Sequence, residues 1–252
     1  MKLKDKIVIL TGASSGIGYA IGKLFAKEGA TLIAVARRVD LLEKLKEETQ
    51  GEAGQIIPMQ GDVSSQEDVD RVVQETINQY GRIDVLINNA GVLDNYQSAG
   101  AVEDDVWERV LNINVTGVMR MTRAVINHMV EKKNGVIINT SSVGGLHGMR
   151  GGLGYVATKH AVVGMTKNIG FTYADDGIRC VCVAPGSYAT DIGQKVTGVD
   201  NKTLDKLMLG FNFFPKFGNP DELAPLYAFL ASDDAVFING TTIVSDGGWT
   251  AF

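Results

Sequence analysis

The stretch Lys6-Ile7-Val8-Ile9-Leu10-Thr11-Gly12-Ala13-Ser14-Ser15-Gly16-Ile17-Gly18 constrains this chain more than any other. A β-branched apolar run stops at a glycine and passes straight into a helical pattern, Tyr19 to Lys27, which predicts a buried strand, a tight turn and a helix. Amides at a helix start lack intrahelical partners, and the helix dipole adds positive potential there. Glycines let an anion approach the backbone with no Cβ in the way. The turn therefore reads as a site for a nucleotide pyrophosphate, built from Gly12, Ser14, Ser15, Gly16, Ile17 and Gly18. Its spacing, Gly-x3-Gly-x-Gly, departs from the common Gly-x-Gly-x-x-Gly fingerprint, and a glycine-rich turn that binds nothing is the alternative.

From there strand-like and helix-like stretches alternate to the end of the chain. Strands are expected at Ala30–Ala36, Gln55–Met59, Ile83–Ile87, Gly135–Thr140, Ile178–Ala184 and Thr241–Val244, with helices at Asp40–Glu48, Glu67–Tyr80, Asp104–Met129, Gly152–Tyr173 and Asp221–Leu230. With the first strand this makes seven, and the alternation argues for an α/β fold, a parallel sheet with helices on both faces. No repeat, linker or low-complexity tract divides the chain, so its 252 residues are expected to form one domain. Asn88-Asn89-Ala90-Gly91 and Ser141-Ser142 fall at the carboxyl ends of expected strands, where open α/β sheets bind ligands. Asn112 and Asn114 interrupt the expected long helix with weak helix formers, and Asn112 reads as surface-facing.

Charge and cysteine usage exclude several functions. A net charge of -5 gives no sign of the basic surface that nucleic-acid binding needs. The first residues resemble no signal peptide and no apolar run reaches membrane-span length, so a cytoplasmic protein without membrane attachment is expected. Cys180 and Cys182 are two apart in a strand, on one face and too far apart for a relaxed disulfide. They read as core thiols, and without clustered histidines they make a poor metal site.

Tyr155 and Lys159 lie four apart in a helix, hence on one face. A phenol is too weak an acid to serve as a base at neutral pH, and an ammonium beside it stabilises the phenolate and lowers its pKa. Ser142, leaving a strand at the ligand edge, is placed to hydrogen-bond a carbonyl oxygen. Each of these features alone is weak.

In order and spacing, Thr11-Gly12-Ala13-Ser14-Ser15-Gly16-Ile17-Gly18, Asp62-Val63, Asn88-Asn89-Ala90-Gly91, Asn114, Ser142, Tyr155-Val156-Ala157-Thr158-Lys159 and Pro185-Gly186 resemble the motifs of the short-chain dehydrogenase/reductases. The resemblance spans the whole chain. It implies a Rossmann-like, doubly wound, seven-stranded sheet of order 3-2-1-4-5-6-7 and hydride transfer between a nicotinamide cofactor and a small-molecule ketone or secondary alcohol. It implies that Tyr155 is the general acid in reduction and the base in oxidation, and that Lys159 holds the nicotinamide ribose and lowers the Tyr155 pKa. Ser142 would orient the substrate oxygen, and Asn114 would support a relay water by distorting its helix. Asn89, Ala90 and Gly91 would line the cofactor cleft, Asp62 and Val63 the adenine, and Pro185, Gly186 and Thr190 the nicotinamide side. Val181 departs from the family, many members of which carry asparagine there. Two rival readings are a 3-oxoacyl carrier-protein reductase and a non-catalytic nicotinamide-binding sensor. The ending Ser245-Asp246-Gly247-Gly248-Trp249 and the intact Ser142, Tyr155 and Lys159 set speak against them in turn.

Three finer expectations follow. The second strand ends Ala36-Arg37-Arg38, with alanine where an NAD enzyme places a carboxylate on the adenosine ribose, so NADP is expected over NAD, with Arg37 meeting the 2′-phosphate and Arg38 beside it. The segment 187–218, with Phe211, Phe213, Phe214 and Phe217, is expected to cover a partly apolar substrate, unless these rings pack in the core or a subunit interface. As the resemblance implies, a homotetramer is expected, with the helices at Asp104–Met129 and Gly152–Tyr173 and an exposed Trp249 and Phe252 as candidate interfaces.

Overall fold

The first strand, β1 (Ile7–Thr11), is continuously apolar because both of its faces are buried. Val8 and Leu10 enter one hydrophobic layer, Ile7 and Ile9 the other. Nearly every residue of β2 (Thr31–Ala36), β4 (Val85–Asn88), β5 (Gly135–Thr140) and β6 (Ile178–Pro185) is likewise buried, while β3 (Gln55–Gln60) and β7 (Thr242–Ser245) close the edges. The computed structural model describes residues 1–193, 196–212 and 214–251. All seven strands are parallel, in the order β3-β2-β1-β4-β5-β6-β7. This is the doubly wound Rossmann-like sheet expected.

Helices α1 (Gly16–Lys27), α2 (Val39–Glu48) and α8 (Pro220–Ala231) cover one face through Ile21, Phe25, Leu42, Leu45, Leu223 and Tyr227. Helices α3 (Gln66–Tyr80), α5 (Gly117–Lys132) and α6 (Leu153–Thr172) cover the other, with Val72, Met121, Val125 and Ile169 in its core. Cys180 and Cys182 are buried, unpaired thiols. No helix among the described residues is long and apolar enough to cross a membrane. The strand order reverses at β1, which pairs with both β2 and β4, so a crevice opens at the carboxyl ends of those strands.

Two expectations need correction. The helix expected over Asp104–Met129 is α4 (Asp104–Leu111), a π-helical turn (Asn112–Thr116) and α5. The wide turn forms where Asn114 turns its amide away from the helix, donating to the Val92 carbonyl and accepting from the Val92 N–H, both at 2.9 Å. Asn112 is exposed and accepts from Arg120, as a surface-facing asparagine would. Trp249, expected exposed at the chain end, is only 3% exposed. Its ring packs on Phe211 and Phe214, and its indole N–H donates to the Gly210 carbonyl in α7 (Asn201–Phe211). Phe213 and Phe252 lie outside the described residues.

Candidate active site

The glycine turn sits at the β1/β4 crevice, and its glycines are required by close approach. Gly12 has φ +70, and a Cβ there would lie 2.8 Å from the Ala90 Cα. A Cβ on Gly18 would lie 2.1 Å from the Gly12 carbonyl oxygen. Gly16 has φ +56, and a Cβ there would lie 3.0 Å from the Thr190 methyl, so the chain leaving β6 touches the turn. Ser15 opens α1 with extended backbone and makes no side-chain cap, which leaves the first amides of the helix, Gly16 and Ile17 among them, facing the crevice.

The loop after β4 is tied to this turn. Asn89 donates to the carbonyls of Thr11 at 3.2 Å and Gly12 at 3.3 Å, and the amides of Asn89 and Ala90 share the Thr11 hydroxyl. Asp62 accepts from the amide and hydroxyl of Ser64. Val63 is buried and packs against Gly117 of α5. Gly186 is held close to Asp246, leaving no room for a side chain, directly after Pro185. A dinucleotide phosphate fits the turn on these grounds: glycines where a Cβ would collide, uncapped helix amides and hydroxyls at Ser14 and Ser15.

The two arginines after β2 point in different directions. Arg37, largely exposed, makes a 3.8 Å ion pair with Asp62. Arg38, the residue before α2, reaches back over the turn and donates from Nη2 to the Ser14 and Ser15 hydroxyls, both at 3.0 Å.

On the other side of the crevice, α6 carries Tyr155 and Lys159, both buried. Ser142 accepts the Gly144 N–H at 3.0 Å. Its hydroxyl is near enough to the Tyr155 phenol to favour the phenolate. Lys159 donates from Nζ to the Thr140 carbonyl at 2.9 Å and lies 5.6 Å from the centre of the Tyr155 ring. A Cβ on Gly91 would meet Asn114 Oδ1 and Lys159 Nζ, each at 3.4 Å, so Gly91, Asn114 and Lys159 converge on one spot.

Burial raises the Tyr155 pKa to about 12, against the pull of the Ser142 hydroxyl, with Tyr96 and Asp94 adding to the rise. Burial also lowers Lys159 to about 8. Desolvation thus prevails at the phenol, and the Lys159 ammonium bonds a backbone carbonyl. A buried phenol of this kind stays protonated at neutral pH.

Sequence reasoning missed Asp94, Tyr96 and Arg150. Asp94 is fully buried and accepts the amides of Tyr96 at 3.3 Å, Gly152 at 3.2 Å and Tyr155 at 2.8 Å. Asn95 and Tyr96 both take positive φ, 60 and 55, a conformation costly for a side chain as bulky as tyrosine and found at ligand sites. Only the dipeptide Asp94-Asn95 gave a signal, and it reads as an ordinary turn.

The family model described as short chain dehydrogenase matches residues 6–200. The chain is 39% identical over 251 residues to 3beta-hydroxysteroid dehydrogenase 2 of Eggerthella lenta, covering 99% of this chain and 96% of that one. Among solved structures it is similar to levodione reductase, with TM-score 0.89, 33% identity and 99% of each chain covered. It is also similar to 3-ketoacyl-(acyl-carrier-protein) reductase from Brucella melitensis complexed with NADH, with TM-score 0.85, 33% identity, and 98% of this chain and 99% of that one covered.

Proposed function

The chain belongs to the short-chain dehydrogenase/reductase family, NAD(P)-dependent oxidoreductases of ketones and alcohols, and on that premise we propose that it reduces a partly apolar small-molecule ketone, or oxidises the matching secondary alcohol. The observation that carries this reading is the buried Tyr155 phenol, grouped with the buried Ser142 and with Lys159 5.6 Å from its ring, in the crevice that the glycine turn enters.

A bound nicotinamide supplies or takes the hydride. This chain's residues handle the proton and the geometry. In reduction Tyr155 gives its proton to the substrate oxygen while Ser142 donates a hydrogen bond to the same oxygen, and in oxidation Tyr155 takes the proton back. Lys159 holds the cofactor ribose and favours the phenolate that forms. Asn114, turned out of its helix by the π-helical turn, supports the relay water that reprotonates Tyr155 through Lys159. Gly12, Ser14, Ser15, Gly16, Ile17 and Gly18 hold the pyrophosphate, and Asn89, Ala90, Gly91, Asp62, Val63, Pro185, Gly186 and Thr190 complete the cleft.

NADP is the preferred cofactor in this reading. Ala36 leaves the 2′-phosphate unopposed, and the Arg38 guanidinium already lies over Ser14 and Ser15. The segment 187–218 covers the substrate, with Phe211, Phe214 and Trp249 as its apolar wall. The protein acts in the cytoplasm, which its free buried thiols support. It assembles as a homotetramer, supported by an exposed apolar patch of Phe171, 89% exposed, with Phe237, 100% exposed, beside it. The Asn239 amide donates to Gly170, which brings these two segments together.

The test is a panel of cyclic ketones, alcohols and a 3-oxoacyl thioester, read by NADPH and NADH absorbance. Turnover of ring ketones above the thioester supports the reading. A preference for the thioester would favour the acyl carrier reductase, and no turnover with bound cofactor would favour a sensor.

A further inference from the structure

Arg150 stands in the loop that joins β5 to α6, and no acidic side chain among the described residues matches its charge. The guanidinium carbon lies 4.4 Å from the Trp249 ring. Nη1 donates to the carbonyl of Met149, and Nε is buried without a hydrogen-bond partner among the described residues. No carboxylate among those residues pairs with it, although the chain has 29 acidic side chains against 24 Lys and Arg. An aromatic face offsets part of the desolvation of a guanidinium, but apart from the Nη1 bond to Met149 its N–H donors have no partner among the described residues. A half-buried cation of this kind calls for a partner.

Its position says what that partner is. The backbone on either side abuts the reacting phenol. A Cβ on Gly151 would lie 2.6 Å from the Tyr155 ring, and the Arg150 carbonyl oxygen lies 3.2 Å from where a Cβ on Gly144 would be. The side chain then runs to α7, where a Cβ on Gly210 would meet Nη1 at 2.9 Å. Phe211, Phe214 and Trp249 form a continuous aromatic cluster there, with ring centres 5.0 to 5.1 Å apart. The guanidinium thus lies on an aromatic wall, while the backbone that carries it abuts the Tyr155 ring, a pairing of charge and apolar surface that suits an amphipathic anion.

We propose that Arg150 binds a carboxylate on the substrate, so that the enzyme acts on an acidic, amphipathic ketone or alcohol whose apolar body lies against Phe211, Phe214 and Trp249. This rests on the hydride-transfer reading above and names its substrate class.

The probes are 4-(4-oxocyclohexyl)benzoate and its methyl ester, with binding followed by calorimetry on the cofactor-loaded enzyme and turnover by NAD(P)H absorbance. Charge-assisted hydrogen bonds predict that wild type binds and turns over the carboxylate about tenfold or more better than the ester. Arg150→Met should bring that ratio close to one, and Arg150→Lys, which keeps the charge without the fork, should leave an intermediate ratio. Should Arg150→Met fail to fold, the wild-type ratio decides alone. A ratio at or below one, binding of neither probe, or a preference that survives Arg150→Met overturns the inference. Turnover without discrimination overturns the carboxylate site and leaves hydride transfer standing. Arg150-dependent carboxylate binding without turnover of any ketone supports the site and overturns hydride transfer.

Discussion

The Asp94 carboxylate accepts the backbone N–H of Tyr155 at 2.8 Å, across 61 residues of sequence. Gly152 opens α6 and has no side chain to cap it, so the amides of its first turn depend on a distant acceptor. Asp94 supplies it, together with the N–H of Gly152 at 3.2 Å, and places a negative charge at the positive end of the helix. A Cβ on Gly152 would lie 2.5 Å from Asp94 Oδ2, so the glycine admits the carboxylate that replaces its own cap.

Asp94 is accordingly a positioning residue. Asp94→Ala leaves two buried donors without partners, at a cost of roughly 1–3 kcal/mol each. Urea unfolding should show that loss, and kcat should fall more than KM rises because the phenol loses its orientation. Asp94→Asn keeps one acceptor oxygen but turns an NH2 toward the other amide, so it should recover only part of both. An alanine variant as stable and as active as wild type would remove Asp94 from the account.

Lys159 predicts a pH dependence of stability. Its pKa is lowered from 10.5 to about 8 in the folded protein, so between these values the unfolded chain binds more protons and stability rises with pH. Tyr155, raised from 10.0 to about 12, acts in the opposite direction above pH 10, which confines the window to about pH 8–10. Thermal melts of wild type and Lys159→Met, taken as a difference, should show wild type gaining on the variant across that window. A flat difference contradicts the burial of the ammonium. The same variant should lose both turnover and cofactor affinity.

Arg38 predicts the cofactor preference. Wild type should show a higher kcat/KM with NADP than with NAD, and Arg38→Leu should reduce the ratio by about tenfold or more, the worth of a hydrogen bond to a charged group. Arg37→Leu should reduce it less, since Arg37 is turned to Asp62. Ala36→Asp should reverse the preference. Wild type favouring NAD, or a ratio unmoved by Ala36→Asp, would refute this reading of the strand end.

The exposed Phe171 and Phe237 predict assembly. Light scattering at micromolar concentration should give a tetramer of the 27.0 kDa chain, and Phe237→Glu should shift it to smaller species. A stable monomer in wild type rejects it.

The layered fold was legible because parallel strands buried on both faces write unbroken apolar runs, and glycines mark their ends. The β1 turn, Asn114, Ser142, Tyr155 and Lys159 could be singled out because their order and spacing resemble a known family's, each signal alone being weak. What escaped depends on side-chain direction or on distant partners. Nothing in Arg37-Arg38 says which guanidinium turns back over Ser14. Asn114 announced a weak helix but not the π-helical turn, which is set by Val92 on another segment. Trp249 read as exposed because its partners, Phe211 and Phe214, lie more than thirty residues away. The Tyr155 pKa depends on burial, to which the Tyr-x3-Lys spacing is blind.

The most direct measurement is steady-state turnover of Tyr155→Phe beside cofactor binding by fluorescence titration. Removing one oxygen leaves the packed ring in place, so cofactor affinity should stay close to wild type while kcat falls by about 10²–10⁴-fold, the range of general acid–base catalysis. A Tyr155→Phe enzyme that binds cofactor and keeps more than about a tenth of wild-type kcat would contradict the account.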